Sequence, residues 1–477
     1  NSGKTHDALE ALMKAESGMY LGPLRLLALE VFDRLNGAGV PCNLLTGEEE
    51  ETVPGARITA STIELCDYSK RYDVVVIDEA QMIADRSRGS HWTKAILTVN
   101  AREIHVCMAP MAKDLLLKLV GAIPAPYAVH EHERLVPLVF SGYWRKLSDI
   151  EEGDAVIAFS RNQVLNIAAH LESVHMPASV IYGSLAPAAR REEVRRFASK
   201  ETKVAVATDA IGMGISLPIK RILFSQTSKF DGERTRSLKP WEIQQIAGRA
   251  GRFGMYDLGE VLTLEDSHLV RTGREVVRTG MEAEISQITR LVLPFPREAL
   301  GSGFSLMELL TGWNMLGQGD LFVREDLSEA RTLLSHLGGR FDKDVRDRPD
   351  LVYDLITCPV DTKNSELVYY WKTCAAGILR DRGIPYPNYS LETLESCERQ
   401  YHALDIYYQL SRRIGLRASV QEEKEKVCAR IHEFLKTDKQ LYLRRCSYCG
   451  KKLPWDFPFG MCEKCYAIGW GDFQGGW

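Results

Sequence analysis

At 477 residues the chain exceeds one ordinary domain, and a composition of 45% hydrophobic and 26% charged residues is that of a soluble globular protein with several cores. A formal net charge of -4 excludes binding to nucleic acid by bulk positive charge while leaving room for a local basic channel. No apolar run approaches the ~18 residues of a membrane span, and no signal peptide is visible from Asn1 onward.

The chain opens on Asn1-Ser2-Gly3-Lys4-Thr5, the second half of a G-x-x-x-x-G-K-[ST] phosphate-binding loop. In such a loop backbone N–H groups wrap nucleotide phosphates, which predicts Ser2 and Gly3 as part of the cradle, Lys4 on the β- and γ-phosphates, and the Thr5 hydroxyl on magnesium. The first glycine of the pattern would lie three residues before Asn1. A strand and a Gly-x-x are therefore expected immediately upstream, and a chain truly starting at Asn1 is expected to bind ATP poorly.

From Asn1 to about Tyr127, helical stretches alternate with short apolar runs, the strongest being Tyr72 to Ile77 and Glu103 to Met108. Such runs predict buried parallel strands. Asp78-Glu79-Ala80-Gln81 follows the first run directly, at the carboxyl end of a parallel strand where ligands bind. There Asp78 can hold magnesium while Glu79 polarises an attacking water; the plain alternative is a charged helix start.

A Pro-containing link, Ile123 to Pro137, precedes a second α/β rhythm with candidate strands Ala155 to Phe159, Ser179 to Tyr182, Lys203 to Ala207 and Arg221 to Phe224. Between Ser225 and Trp241, Asp231-Gly232 predicts a tight hairpin. Beyond it stands Gln245-Ile246-Ala247-Gly248-Arg249-Ala250-Gly251-Arg252. Arg249 and Arg252 share one helical face and suit arginine fingers reaching a γ-phosphate held on the opposite domain.

From about Ser267 strand signals fade, and Leu306 to Met315 and Leu391 to Ile414 carry helical periodicity. Near the end, Cys446-Ser447-Tyr448-Cys449 and Cys462-Glu463-Lys464-Cys465 are two C-x-x-C knuckles 12 residues apart, a spacing that supplies four thiolates to a closed zinc site, with a redox pair or disulfides as the alternatives. Arg444, Arg445, Lys451, Lys452 and the aromatics Tyr448, Trp455, Phe457 and Phe459 suit a nucleic-acid contact, and a folding cap serves as well. The other seven cysteines are scattered without pairing rhythm, as in a reducing compartment: the cytoplasm, with a mitochondrial matrix as the alternative.

These blocks, in this order, resemble the motifs of superfamily 2 helicases. Gly3-Lys4-Thr5 resembles motif I, Gly22-Pro23-Leu24-Arg25 motif Ia, Ser61-Thr62-Ile63-Glu64 motif Ib, Asp78 to Gln81 motif II, Phe159-Ser160-Arg161 motif IV, Thr208 to Gly214 motif V and Gln245 to Arg252 motif VI. Closer similarity is to the suppressor-of-Var family of the mitochondrial degradosome. It is carried by Tyr182-Gly183-Ser184-Leu185, by Ala207 to Gly214, by Gln245 to Phe253, by Cys358-Pro359-Val360-Asp361-Thr362-Lys363 and by Leu404 to Ser411. Motif III departs, reading Met108-Ala109-Pro110 without hydroxyls, and the cysteine module lies outside the pattern of the mitochondrial members, which suggests a bacterial or divergent relative and a bacterial cytoplasm.

The resemblance implies an α/β fold of two tandem RecA-like domains followed by a mostly helical domain, and the cysteine knuckles add a small zinc-ribbon-like module; the chain pattern divides at 1–127, 128–272, 273–440 and 441–477, with the first domain cut short at its start. It implies an ATP hydrolase with ATP and Mg2+ that unwinds RNA-containing duplexes 3′ to 5′, with Gly212 near the ATP and Gln245 orienting its γ-phosphate; Zn2+ is expected from the cysteine spacing alone. Arg25, Thr62, Ser160 and Thr208 are the expected phosphate contacts on single-stranded RNA with a 3′ tail. An RNA/DNA hybrid or DNA substrate, an ATPase switch without unwinding, and a nuclease or RNA-processing partner stay open; no membrane partner is expected.

Overall fold

The computed structural model describes residues 3–47, 49–212, 217–231, 234–264, 272–317, 319–416, 418–437, 439–455, 457 and 459–466. Contacts divide the chain into two units: Gly3–His132 with Ser286–Val427, and Glu133–Ile285 with the segment from Cys428 onward.

The first unit begins with α1 (Lys4–Lys14), followed by β1 (Gly18–Gly22), α2 (Arg25–Gly37), β2 (Cys42–Leu45), β3 (Glu50–Glu51), β4 (Ile58–Thr62), β5 (Arg71–Ile77), α3 (Gly89–Thr98), β6 (Asn100–Val106) and α4 (Lys113–Gly121). The sheet order is β3-β2-β4-β1-β5-β6, parallel except for the short β2–β3 pair. Val74 to Ile77 are all buried because α1 and α3 both pack on β5, as a parallel strand covered on its faces requires. Trp92 on α3 is fully buried in a core with Met19, Leu21, Val75 and Leu115.

The second unit contains β7 (Leu138–Arg145), β8 (Asp154–Ile157), α5 (Arg161–Ser173), β9 (Ala178–Ile181), α6 (Pro187–Ala198), β10 (Val204–Ala207), β11 (Arg221–Phe224), β12 (Ser228–Phe230), β13 (Thr235–Ser237), α7 (Pro240–Ala247), β14 (Gly259–Leu264) and α8 (Thr272–Glu282). Its six-stranded sheet runs β7-β14-β11-β8-β10-β9 and every pairing is parallel. Two α/β units built on parallel sheets are the tandem RecA-like architecture.

Residues 286–427 add β15 (Leu291–Leu293), α9 (Leu306–Met315), β16 (Phe322–Arg324), α10 (Ser328–Leu337), α11 (Asp342–Asp347), α12 (Pro349–Ile356), α13 (Ser365–Leu379), α14 (Leu394–Arg413) and the start of α15 (Gln421–Thr437). Their core centres on Trp371, Leu310, Val352 and Leu410. They bond back to α3 and to the turn before α4: the Thr93 hydroxyl donates to the Val292 carbonyl at 2.6 Å and the Ile288 N–H to the Met111 carbonyl at 2.7 Å. The capping box at Ser305 and the Thr393 cap start α9 and α14. Among the described residues no helix is long and apolar enough to cross a membrane.

The apolar runs expected as strands appear at β5, β8, β9, β10 and β11, while the run at 103–108 is displaced to Asn100–Val106 because β6 follows β5 residue by residue from Arg71 to Ile77. Strands β1, β2, β4, β7 and β14 add to that reading; β1 is capped by glycine at both ends, a weak strand signal, yet all five of its residues are buried.

Candidate nucleotide site and metal centre

Gly3 caps α1 in a left-handed conformation with φ 84°, which glycine adopts without steric cost, and the helix then carries Lys4 and Thr5 in its first turn. A helix start of this kind presents unpaired N–H groups and a positive dipole end to an anion. Ser2 lies outside the described residues.

The Asp78 carboxylate is the meeting point. The Thr5 hydroxyl donates to its Oδ1 at 3.2 Å, the Glu79 N–H to the same oxygen at 2.9 Å, and the Tyr20 hydroxyl to Oδ2 at 3.1 Å. The indole of Trp92 donates to the Asp78 carbonyl at 3.0 Å, fixing the backbone. Burial pushes the Asp78 carboxyl above its ordinary range, Glu79 adds to this, and Lys4 opposes it. Burial, followed by Asp78, raises the Tyr20 hydroxyl well above its ordinary value, so it stays a donor. A hydroxyl beside a carboxylate is an oxygen donor set that fits magnesium.

Glu79 itself has φ 50°, a left-handed backbone rare for glutamate and a conformation that clusters at functional sites. Gln81 explains how it is held. Its side-chain amide donates to the Glu79 carboxylate, and its amide oxygen accepts the Ala109 N–H at 3.0 Å. The segment Met108-Ala109-Pro110, lacking hydroxyls, thus connects to the acidic motif through a backbone N–H. Cys107 adds a buried thiol, 3.8 Å from the Lys4 carbonyl and pushed up to about 12 by burial.

In the second unit Gln245 lies on α7, with Arg249 and Arg252 just beyond it. The Arg249 guanidinium donates to the Gly212 carbonyl from Nε at 3.2 Å and Nη2 at 2.5 Å, and a Cβ on Gly212 would stand 3.4 Å from Gln245 Cγ. Motifs V and VI are therefore in direct contact through Gly212, although Met213 and Gly214 fall outside the described residues. Arg134 supports the turn from beneath, donating to the carbonyls of Gly248 at 2.9 Å and Ala250 at 2.5 Å.

The hairpin signal at Asp231 coincides with the antiparallel pair β12–β13, while Gly232 lies outside the described residues. Glu242 on α7 anchors it: Arg236 donates to both carboxylate oxygens at 2.9 Å, Lys229 lies at 2.8 Å, and the Lys239 N–H donates at 2.8 Å. Lys229 also reaches Asp209 at 2.7 Å. Burial opposes ionisation of Glu242, but the bonds from Arg236, Lys229 and Lys239 hold its carboxyl down to about 2.

The four residues expected on nucleic acid all stand at or beyond carboxyl ends of strands or, for Arg25, at the start of the following helix. Thr62 ends β4 and is buried; Thr208 follows β10, also buried, and accepts the Ala210 N–H. Ser160 caps α5 by accepting the Gln163 N–H at 3.3 Å. Arg25 stands 3.8 Å from Asp405, which also pairs with the buried Lys424.

Cys446, Cys449, Cys462 and Cys465 place their sulfurs within 4.8 Å of one another, with Cys449 and Cys462 at 3.8 Å. Ligands about 2.3 Å from a tetrahedral zinc sit about 3.8 Å apart, so the cluster fits that ion and is too open for a disulfide. Backbone N–H groups of Cys449 and Cys462 hold the Cys446 thiol down to about 6, favouring a thiolate.

Sequence reasoning missed Tyr20, Trp92 and Arg134. None sits in a recognisable motif, and Tyr20 lies on a strand with no sequence signal of its own.

Residues 1–132 match the family model described as the DEXQ-box helicase domain of Suv3, and residues 141–254 match the helicase conserved C-terminal domain. The chain is similar to the ATP-dependent RNA helicase SUV3, mitochondrial, of Oryza sativa subsp. japonica, with 45% identity over 275 residues, covering 56% of this chain and 47% of the relative. It is also similar to the ATP-dependent RNA helicase SUPV3L1, mitochondrial, of Danio rerio, with 32% identity over 448 residues, 87% of this chain and 57% of the relative. Among solved structures, similarity extends to the Escherichia coli DEAH/RHA helicase HrpB at a TM-score of 0.47 and 17% identity, covering 84% of this chain and 55% of that one. The chain spans about half the length of the curated relatives it matches. The expectation of a bacterial, cytoplasmic protein is overturned by these relatives, which are named as mitochondrial proteins of plants and vertebrates.

Proposed function

Because the chain belongs to the Suv3 family of superfamily 2 helicases, we propose that it is an ATP-dependent RNA helicase that moves 3′ to 5′ and unwinds RNA-containing duplexes. The observation that carries the ATPase assignment is the convergence of Thr5, Glu79 N–H and Tyr20 on the buried Asp78 carboxylate.

Lys4 and the N–H groups that open α1 bind the phosphates, and Thr5 with Asp78 would hold magnesium. When bound, that ion supplies charge neutralisation at the phosphate oxygens. Glu79, clamped through Gln81 to Ala109, polarises the attacking water. Gln245 orients the γ-phosphoryl group, and Arg249 and Arg252 neutralise the charge of its transition state, with Gly212 next to them. Thr62, Ser160 and Thr208 grip RNA phosphates from strand ends, and Arg25 completes that set. Zinc on Cys446, Cys449, Cys462 and Cys465 replaces the core that so short a segment lacks.

The test is Glu79→Gln. The variant is expected to bind ATP with parental affinity and to lose hydrolysis by at least ~100-fold, the scale of general-base catalysis. Parental ATPase in a clean preparation would remove Glu79 from the mechanism.

A further inference from the structure

The cysteine module lies beyond both helicase domain matches, which end at residue 254, and its outer surface is neither core nor catalytic. Phe459, Tyr466 and Tyr448 are 64%, 51% and 75% exposed on a module whose interior, among the described residues, is Cys446, Leu453, Cys462, Cys465 and the flank of Phe457. The Phe459 and Tyr466 rings are stacked, with centroids 6.5 Å apart and planes 21° from parallel. Arg444 sets this ledge by donating to the carbonyls of Phe457 and Phe459. Burying the rings would be the ordinary outcome for a folding cap; here the buried work falls to the sulfurs and Leu453, and the rings face outward.

The charge around them is predominantly positive. Residues 444–466 carry five basic side chains against two acidic ones, a balance of +3 in a chain of net charge -4. Four thiolates around a divalent ion leave that balance at +1. Arg445, Lys451 and Lys464 are all exposed.

The module is fixed in place. Asn166 of α5, buried, donates to the Trp455 carbonyl at 2.9 Å; His170 lies 3.2 Å from the Leu453 carbonyl; Lys452 donates to Ser173 at 2.8 Å. Lys439, fully buried, is held by Glu172 and the Ala178 carbonyl, both at 2.6 Å. The docking positions on α5, from Asn166 to Ser173, lie about 9–20 Å along the helix from its cap, Ser160.

We propose that the cysteine module is a single-strand nucleic-acid platform: bases stack on Phe459 and Tyr466, with Tyr448 beside them, while Arg445, Lys451 and Lys464 take the phosphates. Outward aromatic faces with interspersed cations are the combination by which single strands are held without sequence preference. The inference goes beyond the ATPase reading and does not depend on it, since its residues are separate from every catalytic group named above.

The test uses the zinc-loaded full chain and a fluorescein-labelled 20-nucleotide oligouridylate, read by anisotropy across a salt series without ATP. The double variant F459L/Y466L is expected to weaken binding at least ~10-fold, within the range of losing one or two base stacks, with its salt slope unchanged. The double variant R445Q/K451Q is expected to lower the slope of log K against log salt by about 1.4, from two phosphate contacts on a single strand. RNA-independent ATPase should be parental in both. Affinity within twofold of the parent in the aromatic variant, with one zinc per chain retained, overturns the platform and leaves a protein-facing surface. Should a variant lose zinc, crosslinking of 4-thiouridine RNA to the unmodified protein decides: crosslinks within residues 445–466 are expected, and none there overturns the proposal. Failure of the ATPase in the parent would sink the helicase reading while leaving these affinities intact.

Discussion

Glu242→Gln removes the charge on which the hairpin and α7, the helix that precedes Arg249 and Arg252, converge. The carboxyl moves from an ordinary value of 4.5 to about 2 and its residue is 4% exposed, so solvent screens it little. At about 1.36 kcal/mol per pH unit, a shift of that size corresponds to about 3 kcal/mol of folded-state stabilisation. The pKa is depressed, so the contribution is complete above 4.5 and is lost as pH falls through about 2. Glutamine keeps the size of the side chain and can still accept from the Lys239 N–H, but leaves Lys229 and Arg236 to Asp209 and Asp231 alone. For a unit of 150–250 residues, a loss of about 3 kcal/mol lowers the melting temperature by roughly 6–12 °C. Thermal unfolding near neutral pH reads this directly, and the gap between parent and variant should close as pH approaches 2. A melting temperature within about 1 °C of the parent at neutral pH, or a gap that widens with acid, would refute the assignment of Glu242 as the anchor.

Tyr20→Phe deletes one of the donors on the buried Asp78 carboxylate, and a hydrogen bond to a charged group contributes about 1.5–3 kcal/mol; the urea midpoint should fall accordingly, and an unchanged midpoint speaks against the bond. Cys449→Ser takes one sulfur from the four-cysteine cluster, so zinc that survives dialysis against a chelator in the parent, about one ion per chain, should be lost from the variant. Zinc retained at parental stoichiometry would mean the cluster is not the binding site.

The residues of the candidate nucleotide site were legible as a group because they are neighbours in sequence. Gly3-Lys4-Thr5 and Asp78-Glu79-Ala80-Gln81 each carry their own spacing, and the strand before Asp78 is an unbroken apolar run. The cysteine knuckles were legible for the same reason, and their sulfurs do converge. What supports these groups was not, since it arrives through tertiary contact. Tyr20 reaches Asp78 from a strand with glycine at both ends, and Gln81 reaches Ala109 across a parallel sheet. The Met108-Ala109-Pro110 segment looked like a missing contact because a motif is read from side chains, whereas the bond it makes is through its backbone N–H. Arg134 sits in a link without strand or helix, more than 110 residues before the carbonyls it holds.

The most direct test of the central claim is ATP-driven strand displacement on matched RNA and DNA duplexes bearing either a 3′ or a 5′ single-stranded tail. Displacement of the 3′-tailed RNA duplex with ATP is expected, with none from Glu79→Gln and little from the 5′-tailed duplex. RNA-stimulated ATP hydrolysis without displacement, or displacement only from a 5′ tail, would contradict that claim.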